Sequence, residues 1–235
     1  MPGYRFFLVL ALAALILISG CAMNSRNDAI KLRKELERWT GFRSEGIVQA
    51  NYMGLALRKF YVIQKDKDEL RLDVVDGGIM GMSAEPLLSF YKGDYLALKS
   101  AMMPQLELLN LTNYFPQAAF RAFSEPAEYL APYESEILAK RMVTVDSVKV
   151  EFTPQLQLGK ITDLKSGAEI ILTYTGRGIL DQVDIKAGNS ASVLLLVDTI
   201  RHCSQNITPL PPNKGGLDLM KVIGGAIENL MGGKE

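Results

Sequence analysis

The chain has 235 residues, with 26 basic and 26 acidic side chains and one histidine, so its formal net charge is zero. A nucleic-acid partner would require a basic surface that displaces counterions from phosphates, and this charge balance argues against one. Apolar residues make up 48% of the chain, which is enough for one globular domain with a full core.

The N-terminus has the pattern of an export signal. Arg5 precedes an unbroken apolar run, Phe6–Ile18. This run is shorter than the roughly 20 residues that a membrane-spanning helix needs, so it favours a signal peptide over residues 1–20. The tetrapeptide that follows, Ile18-Ser19-Gly20-Cys21, resembles the bacterial lipobox. We therefore expect cleavage between Gly20 and Cys21 and lipidation of Cys21; an ordinary signal peptide with a chance cysteine, or an uncleaved anchor, are the alternatives.

The next segments form a tether and a helix. Residues 21–28 are mostly polar and predict a short tether. Ile30, Leu32, Leu36 and Trp39 then recur near helical spacing among charged residues, which predicts an amphipathic helix over residues 29–39.

Residues 42–100 change to the spacing of strands. We predict antiparallel strands over residues 47–53, 55–64, 69–75, 87–91 and 95–98, joined by short turns. In the third of these, Leu70, Leu72 and Val74 alternate with Arg71 and Asp73, the pattern of a sheet that is wet on one side.

Four prolines interrupt residues 101–141 and favour short helices, near residues 105–111, 117–123 and 127–130. Strand patterns return over residues 143–152, 156–164, 169–174, 179–186 and 192–202. Because Val193–Val197 is apolar at every position, that strand is expected to be covered on both faces. Cys203 is expected at a half-buried strand position.

The tail, residues 213–235, contains the apolar stretch Leu217–Met231, which is interrupted by Gly224-Gly225. It predicts either a weak helix docked on the domain or a mobile amphipathic segment for contact with a membrane or a partner.

Two stretches carry a resemblance to a known family. Residues 42–81 run through a first strand, a return strand and a strand with Arg71-Leu72-Asp73, followed by a glycine-containing loop. Ile170–Tyr174, Gly178–Ile185 and Val193–Ile200 form a closing set of strands before Ile207-Thr208-Pro209. Together they resemble the LolA/LolB superfamily of bacterial lipoprotein-sorting proteins over most of residues 29–210.

This resemblance implies an α+β, mainly β fold over residues 29–212: a strongly curved antiparallel sheet, or open half-barrel, lidded by short helices. It also implies an apolar cavity that holds acyl chains, with Leu70, Leu72 and Val74 as candidate ligand-binding residues. In the loop after that strand, Ile79, Met80 and Met82 are candidates for lipid contact during delivery; the alternative is an ordinary strand that turns inward.

One tetrapeptide of the sequence matches an enzyme motif, but its position does not suit catalysis. Ser89-Phe90-Tyr91-Lys92 matches the S-x-x-K of penicillin-binding enzymes, but it ends a strand, where residues three apart face opposite sides. A single histidine excludes a histidine-rich metal site, and no cofactor, metal or catalytic residue is predicted.

The sequence therefore predicts a lipid-anchored protein that binds a lipid or the acyl part of another lipoprotein, for transport or insertion at the outer membrane. Ala22 replaces the aspartate that signals inner-membrane retention in enteric bacteria, which favours the periplasmic side of the outer membrane. A host with one membrane would place it on the outer face of that membrane. The alternative function is a scaffold or accessory lipoprotein that grips an envelope protein.

Overall fold

The structure is a computed structural model that describes residues 26–52, 55–76, 86–101, 103–108, 122, 125–187 and 191–215. Several predicted features lie outside the described residues: the signal and Cys21, the loop with Ile79, Met80 and Met82, and the tail helix.

The described chain forms one antiparallel sheet of 11 strands in the order β5-β4-β3-β2-β1-β11-β10-β9-β8-β7-β6. Consecutive strands of the chain are neighbours in the sheet with the exception of β5 and β6, and β1 also pairs with β11. The strands at the two ends of this order, β5 and β6, are not paired with each other, so the curved sheet is an open half-barrel, and the predicted fold class is confirmed. The strands are β1 Gly41–Tyr52, β2 Leu55–Asp66, β3 Glu69–Val75, β4 Leu88–Lys92, β5 Leu96–Ser100, β6 Met142–Val145, β7 Val148–Phe152, β8 Leu158–Asp163, β9 Glu169–Tyr174, β10 Leu180–Ala187 and β11 Ala191–Arg201.

Strand β1 begins six residues earlier than predicted, because the polar residues Arg43, Ser44 and Glu45 hide its alternation. Its buried positions are the even ones, from Phe42 to Val48. Gly46 is required by the packing, since a Cβ atom there would lie 2.0 Å from the carbonyl oxygen of Leu196. A bulge in β11 beside this glycine shifts the register of the β1–β11 pair.

The strand predicted over residues 143–152 is wrong: it is a hairpin of β6 and β7. The turn residues Asp146 and Ser147 have φ angles of 48° and 70°. Two successive left-handed residues make the tight turn that matches the twist of paired strands, and Asp and Ser gave a weaker turn signal than Asn-Gly would have done.

Several short helices lie among the described residues. Helix α1 is described over residues 26–38, and the predicted helix covered residues 29–39. The predicted helix at 127–130 is confirmed as α2, Pro126–Leu130, and a 3₁₀ turn leads from it into α3, Glu134–Lys140, which the sequence reading had not singled out. The predicted 105–111 helix is a 3₁₀ turn at Pro104–Leu108, and of residues 117–123 only Ala122 is described.

The main core joins the helices to the concave side of the sheet. Leu32, Leu36 and Trp39 of α1 and its C-terminal end are at most 4% exposed. They belong to one buried cluster with residues of the helices α2 and α3 and of strands β6–β8, namely Tyr129, Leu130, Ile137, Val143, Val148, Val150 and Leu158. The helices therefore occupy part of the half-barrel and leave the rest to be lined by the strands.

The convex side is covered over β3–β5 by residues 204–215, named here the outer segment. Its Ile207 and Leu210 form a second buried cluster with Tyr91 and Ala97. The hydroxyl group of Tyr95 donates a hydrogen bond of 2.6 Å to the carbonyl oxygen of Leu210.

Two expectations, one for β11 and one for the residues that follow it, are wrong. Leu194 and Leu196 are only partly buried, because they point to the convex face of the sheet. Cys203 is exposed, because β11 ends at Arg201 and the chain leaves the sheet there.

Within the described residues, no helix is both long and apolar enough to cross a bilayer.

Candidate ligand cavity

The concave side of the sheet holds a cavity of about 490 Å³ that is partly open to solvent and almost wholly apolar. Eight strands contribute to its wall, together with Trp39, which follows α1, and Ala168, which precedes β9. The wall residues are Trp39, Phe42, Ser44, Val48, Tyr61, Ile63, Leu70, Leu72, Phe90, Ile161, Asp163, Ala168, Glu169, Ile170, Leu180, Val183, Ile185, Lys186, Val193, Leu195, Val197 and Ile200.

Strand alternation and cross-strand register explain why these side chains meet. Val193, Leu195 and Val197 occupy alternate positions of β11, so all three point to the concave face. Val48 of β1 and Val183 of β10 lie directly opposite Leu195 on its two sides. One apolar row therefore crosses three adjacent strands, and the row of Ala50, Val193 and Ile185 repeats the pattern beside it.

Of the three β3 residues predicted to bind a ligand, two line the cavity and one does not. Leu70 and Leu72 line the cavity. Val74 is on the same face of β3 but is 4% exposed within the main core rather than on the cavity wall. Ile79, Met80 and Met82 lie outside the described residues.

Sequence reasoning missed most of the wall, notably Trp39, Tyr61 and the alternate residues of β8–β11. Trp39 and Tyr61 are each 1% exposed overall. The strands had been recognised, but a run such as Val193–Val197 is apolar at every position and does not reveal which residues face inward. The register with β1 supplies that information.

The polar groups of the wall are occupied by the protein itself. The Ser44 and Tyr61 hydroxyl groups lie 3.1 Å apart, and burial raises the pKa of Tyr61. Asp163 accepts hydrogen bonds from the Ser166 hydroxyl at 2.7 Å and the Lys165 backbone N–H at 3.0 Å, and the Ser166 bond lowers its pKa. Because these groups bond to other protein atoms, Asp163 does not present an unpaired charge to the cavity.

The charged residues of the wall are also paired. Glu169 forms an ion pair with Lys160 at 2.5 Å, and Lys186 forms one with Asp184 at 3.2 Å. Both belong to the sheet end that carries the turn at Ala168. The apolar cavity thus has a polar border at that end.

The size of the cavity suits one hydrocarbon tail. Ligand sites commonly measure about 300–1,000 Å³. The cavity, at about 490 Å³, lies within that range. Each buried methylene contributes about 0.8 kcal/mol, so such a cavity can hold an acyl chain without any charged contact.

The S-x-x-K tetrad lies in β4, as expected. The Ser89 hydroxyl donates to Asp73 at 2.5 Å, while Lys92 donates to the carbonyl oxygen of Asp68 at 3.2 Å. Within the part of the chain that is described, no group of three or more His, Cys, Asp or Glu side chains could hold a metal ion.

No family model and no curated protein matches the sequence. Similar solved structures include a domain described as an outer-membrane lipoprotein-sorting protein from Vibrio parahaemolyticus, with 8% identity, 87% of this chain and 99% of that chain covered, and a TM-score of 0.36. A LolA superfamily protein from Nitrosomonas europaea has 9% identity, with 78% and 94% covered and a TM-score of 0.32. The lipoprotein LppX of Mycobacterium tuberculosis has 13% identity, with 78% and 99% covered and a TM-score of 0.28.

The open half-barrel that the sequence resemblance implied is observed in the sheet of this chain itself. At these identities and TM-scores, no conclusion about function follows from the solved structures.

Proposed function

We propose that this protein binds one acyl chain of a lipid or of another lipoprotein in the concave cavity. The supporting observation is the cavity wall: about 490 Å³ of space surrounded almost entirely by apolar side chains. Apolar side chains that line a space of this size can make many dispersion contacts with a hydrocarbon tail.

We further propose that the protein is held at a membrane by lipid on Cys21, after loss of residues 1–20. The sequence pattern at Ile18–Cys21 supports this anchor, and Ala22 favours the periplasmic side of the outer membrane. Residues 21–28 would be the tether, residues 29–212 the lipid-binding domain and residues 213–235 a separate tail. In this setting the protein would carry an acyl chain to the outer membrane or insert it there.

Cavity filling tests the binding step. Val193→Trp and Val197→Trp place a large side chain inside the cavity, whereas Leu194→Trp and Leu196→Trp place it on the convex face of the same strand. We expect native mass spectrometry of the gently purified protein to show retained lipid in the parent and the two convex-face variants, and much less in the two cavity variants. Equal retention in all four folded variants would contradict binding in this cavity.

Delivery is tested separately, at the loop that follows β3. We propose Ile79 and Met80 as lipid contacts there, since a methionine side chain adapts to disordered chains. The double variant Ile79→Asp, Met80→Asp should still bind lipid but transfer it more slowly to acceptor vesicles. An unchanged transfer rate in a folded variant would contradict loop delivery.

The second candidate is a scaffold that uses the fold to grip an envelope protein. Its supporting observation is the convex row formed by Phe60, Ile47 and Leu196 on three adjacent strands, in which Phe60 is 48% exposed. A scaffold would retain no lipid, so the same mass spectra separate the two functions.

A further inference from the structure

A second depression lies between α1 and two turns of the sheet, at residues 153–157 and 175–179. It is named here the basic cleft, it measures about 480 Å³, and it is more open than the cavity. Its residues are Lys31, Lys34, Glu35, Arg38, Gln155, Gln157, Gly176, Arg177 and Gly178. It shares none of them with the ligand cavity.

The charge of the basic cleft is strongly positive. Four of its residues are cationic and only Glu35 is anionic. The Glu35 side chain is 6% exposed and forms an ion pair with Arg38 at 3.0 Å, so these two charges offset each other, and Lys31, Lys34 and Arg177 provide the positive charge of the cleft. Lys31 has one exposed partner, Asp28, at 3.7 Å. Lys34 and Arg177 have no carboxylate within 4 Å among the described residues.

Exposed apolar side chains flank these cations. Ile30 directly precedes Lys31 in α1 and is 46% exposed, and Ile179 directly follows Gly178 in its turn and is 55% exposed. Basic residues combined with large apolar side chains are typical of surfaces that lie in the headgroup region of a bilayer.

The chain also brings the cleft near a membrane. The described part of α1 starts at residue 26, five residues after Cys21. Five residues extend at most roughly 18 Å, so an anchor on Cys21 would hold residue 26 close to the bilayer surface.

We propose that the basic cleft docks on the anionic phospholipid headgroups of the membrane that holds the anchor. Docking seats on the bilayer the end of the half-barrel that carries α1 and the turns at residues 153–157 and 175–179. The orientation rests on the proposed lipidation of Cys21, whereas the affinity of the cleft for anionic headgroups does not. Docking through the basic cleft leaves the ligand cavity free, because the two sites share no residue.

The test uses residues 22–235, the proposed mature chain without its lipid. All the described elements begin at residue 26 or later, so this chain contains the whole described fold. Sedimentation with vesicles compares phosphatidylcholine alone with phosphatidylcholine that also contains phosphatidylglycerol, at low and at high salt. We expect binding only to the anionic vesicles, and its loss at high salt.

Charge reversal supplies the matched comparison. Each basic residue near an anionic surface contributes roughly fivefold to affinity, so Lys34→Glu with Arg177→Glu should weaken binding at least about 25-fold. Arg58→Glu with Lys99→Glu makes the same charge change at two exposed positions of β2 and β5 and should weaken it much less.

Equal binding by the two double variants, or equal binding to neutral and anionic vesicles, would overturn the proposal. Circular dichroism of each variant checks that it is folded. Retained lipid, measured on the same samples by native mass spectrometry, should not change with the cleft variants. Vesicle binding without retained lipid would support the docking surface and contradict the proposed cavity function.

Discussion

The carboxylate of Glu35 and the indole N–H of Trp39 form a buried hydrogen bond of 3.0 Å, one turn apart at the end of α1. The same oxygen, Oε1, also accepts a hydrogen bond of 3.1 Å from the backbone N–H of Leu158, and the second oxygen pairs with Arg38 at 3.0 Å. Glu35 thereby ties the helix to β8 and holds Trp39, which lines the cavity, in place.

Removing that tie should destabilise the fold. Glu35→Ala leaves the Trp39 and Leu158 N–H groups without their buried acceptor, and we expect a loss of about 3 kcal/mol in the free energy of unfolding. Urea denaturation measures it. Glu37→Ala, an exposed position of the same helix, is the control and should change stability by less than about 0.5 kcal/mol. Similar losses for both would show that the helix, rather than the Glu35 contact, is responsible.

Lys65 should make stability depend on pH. Its side chain is 0% exposed, its Nζ atom donates to the carbonyl oxygens of Thr40 at 2.9 Å and Lys67 at 2.6 Å, and burial lowers its pKa to about 8. Between pH 8 and the ordinary value of 10.5 the unfolded chain binds more protons than the folded one, so stability rises with pH in that window. The gain between pH 7 and 9.5 should be about 2 kcal/mol.

Urea denaturation at several pH values up to 9.5 checks this rise, which Lys65→Met should abolish. The range ends there because burial raises the pKa values of Tyr61 and Tyr174, and stability falls once tyrosines ionise in the unfolded chain. Lys99→Met removes an exposed positive charge and should leave the rise intact. A rise that persists in Lys65→Met must come from another group.

Asn213 should protect an edge of the sheet. Its Oδ1 atom accepts a hydrogen bond of 2.9 Å from the backbone N–H of Leu98 in the edge strand β5, and its Nδ2 atom donates to the carbonyl oxygen of Leu106 at 2.8 Å. In Asn213→Ala we expect faster amide exchange at Leu98 and a loss of about 1–2 kcal/mol. Exposed Asn206→Ala is the comparison, and equal exchange at Leu98 in both variants would refute the role.

Leu72 and Val74 should respond differently to truncation. Leu72→Ala enlarges the cavity, so the retained acyl chains should become longer on average, as native mass spectrometry would show. Val74→Ala removes methyl groups from the packed core, so it should cost about 1–2 kcal/mol without changing chain length. The same chain-length change in both variants would mean that the wall of the cavity does not select the ligand.

Local patterns predicted much of the fold. The alternation in β3, the turns of the first meander and the amphipathic spacing of α1 all depend on neighbours within a few residues, and each was recognised. The start of β1 and the Asp146-Ser147 turn were not recognised, because polar residues on a strand and a turn without Asn-Gly carry a weak local signal.

The sequence by itself determined that alternating apolar positions would build a curved antiparallel sheet, since side-chain alternation is a local property of each strand. The tertiary structure alone decided which of those positions face the cavity. Leu195 lines it and Leu196 does not, because the pairing of β1 with β11 joins residues about 150 positions apart and sets the inward face. It also decided that Leu72 lines the cavity while Val74, two residues further along the same face of β3, is buried in the cluster that contains the helix residues, because side-chain alternation gives the face but not what packs against it.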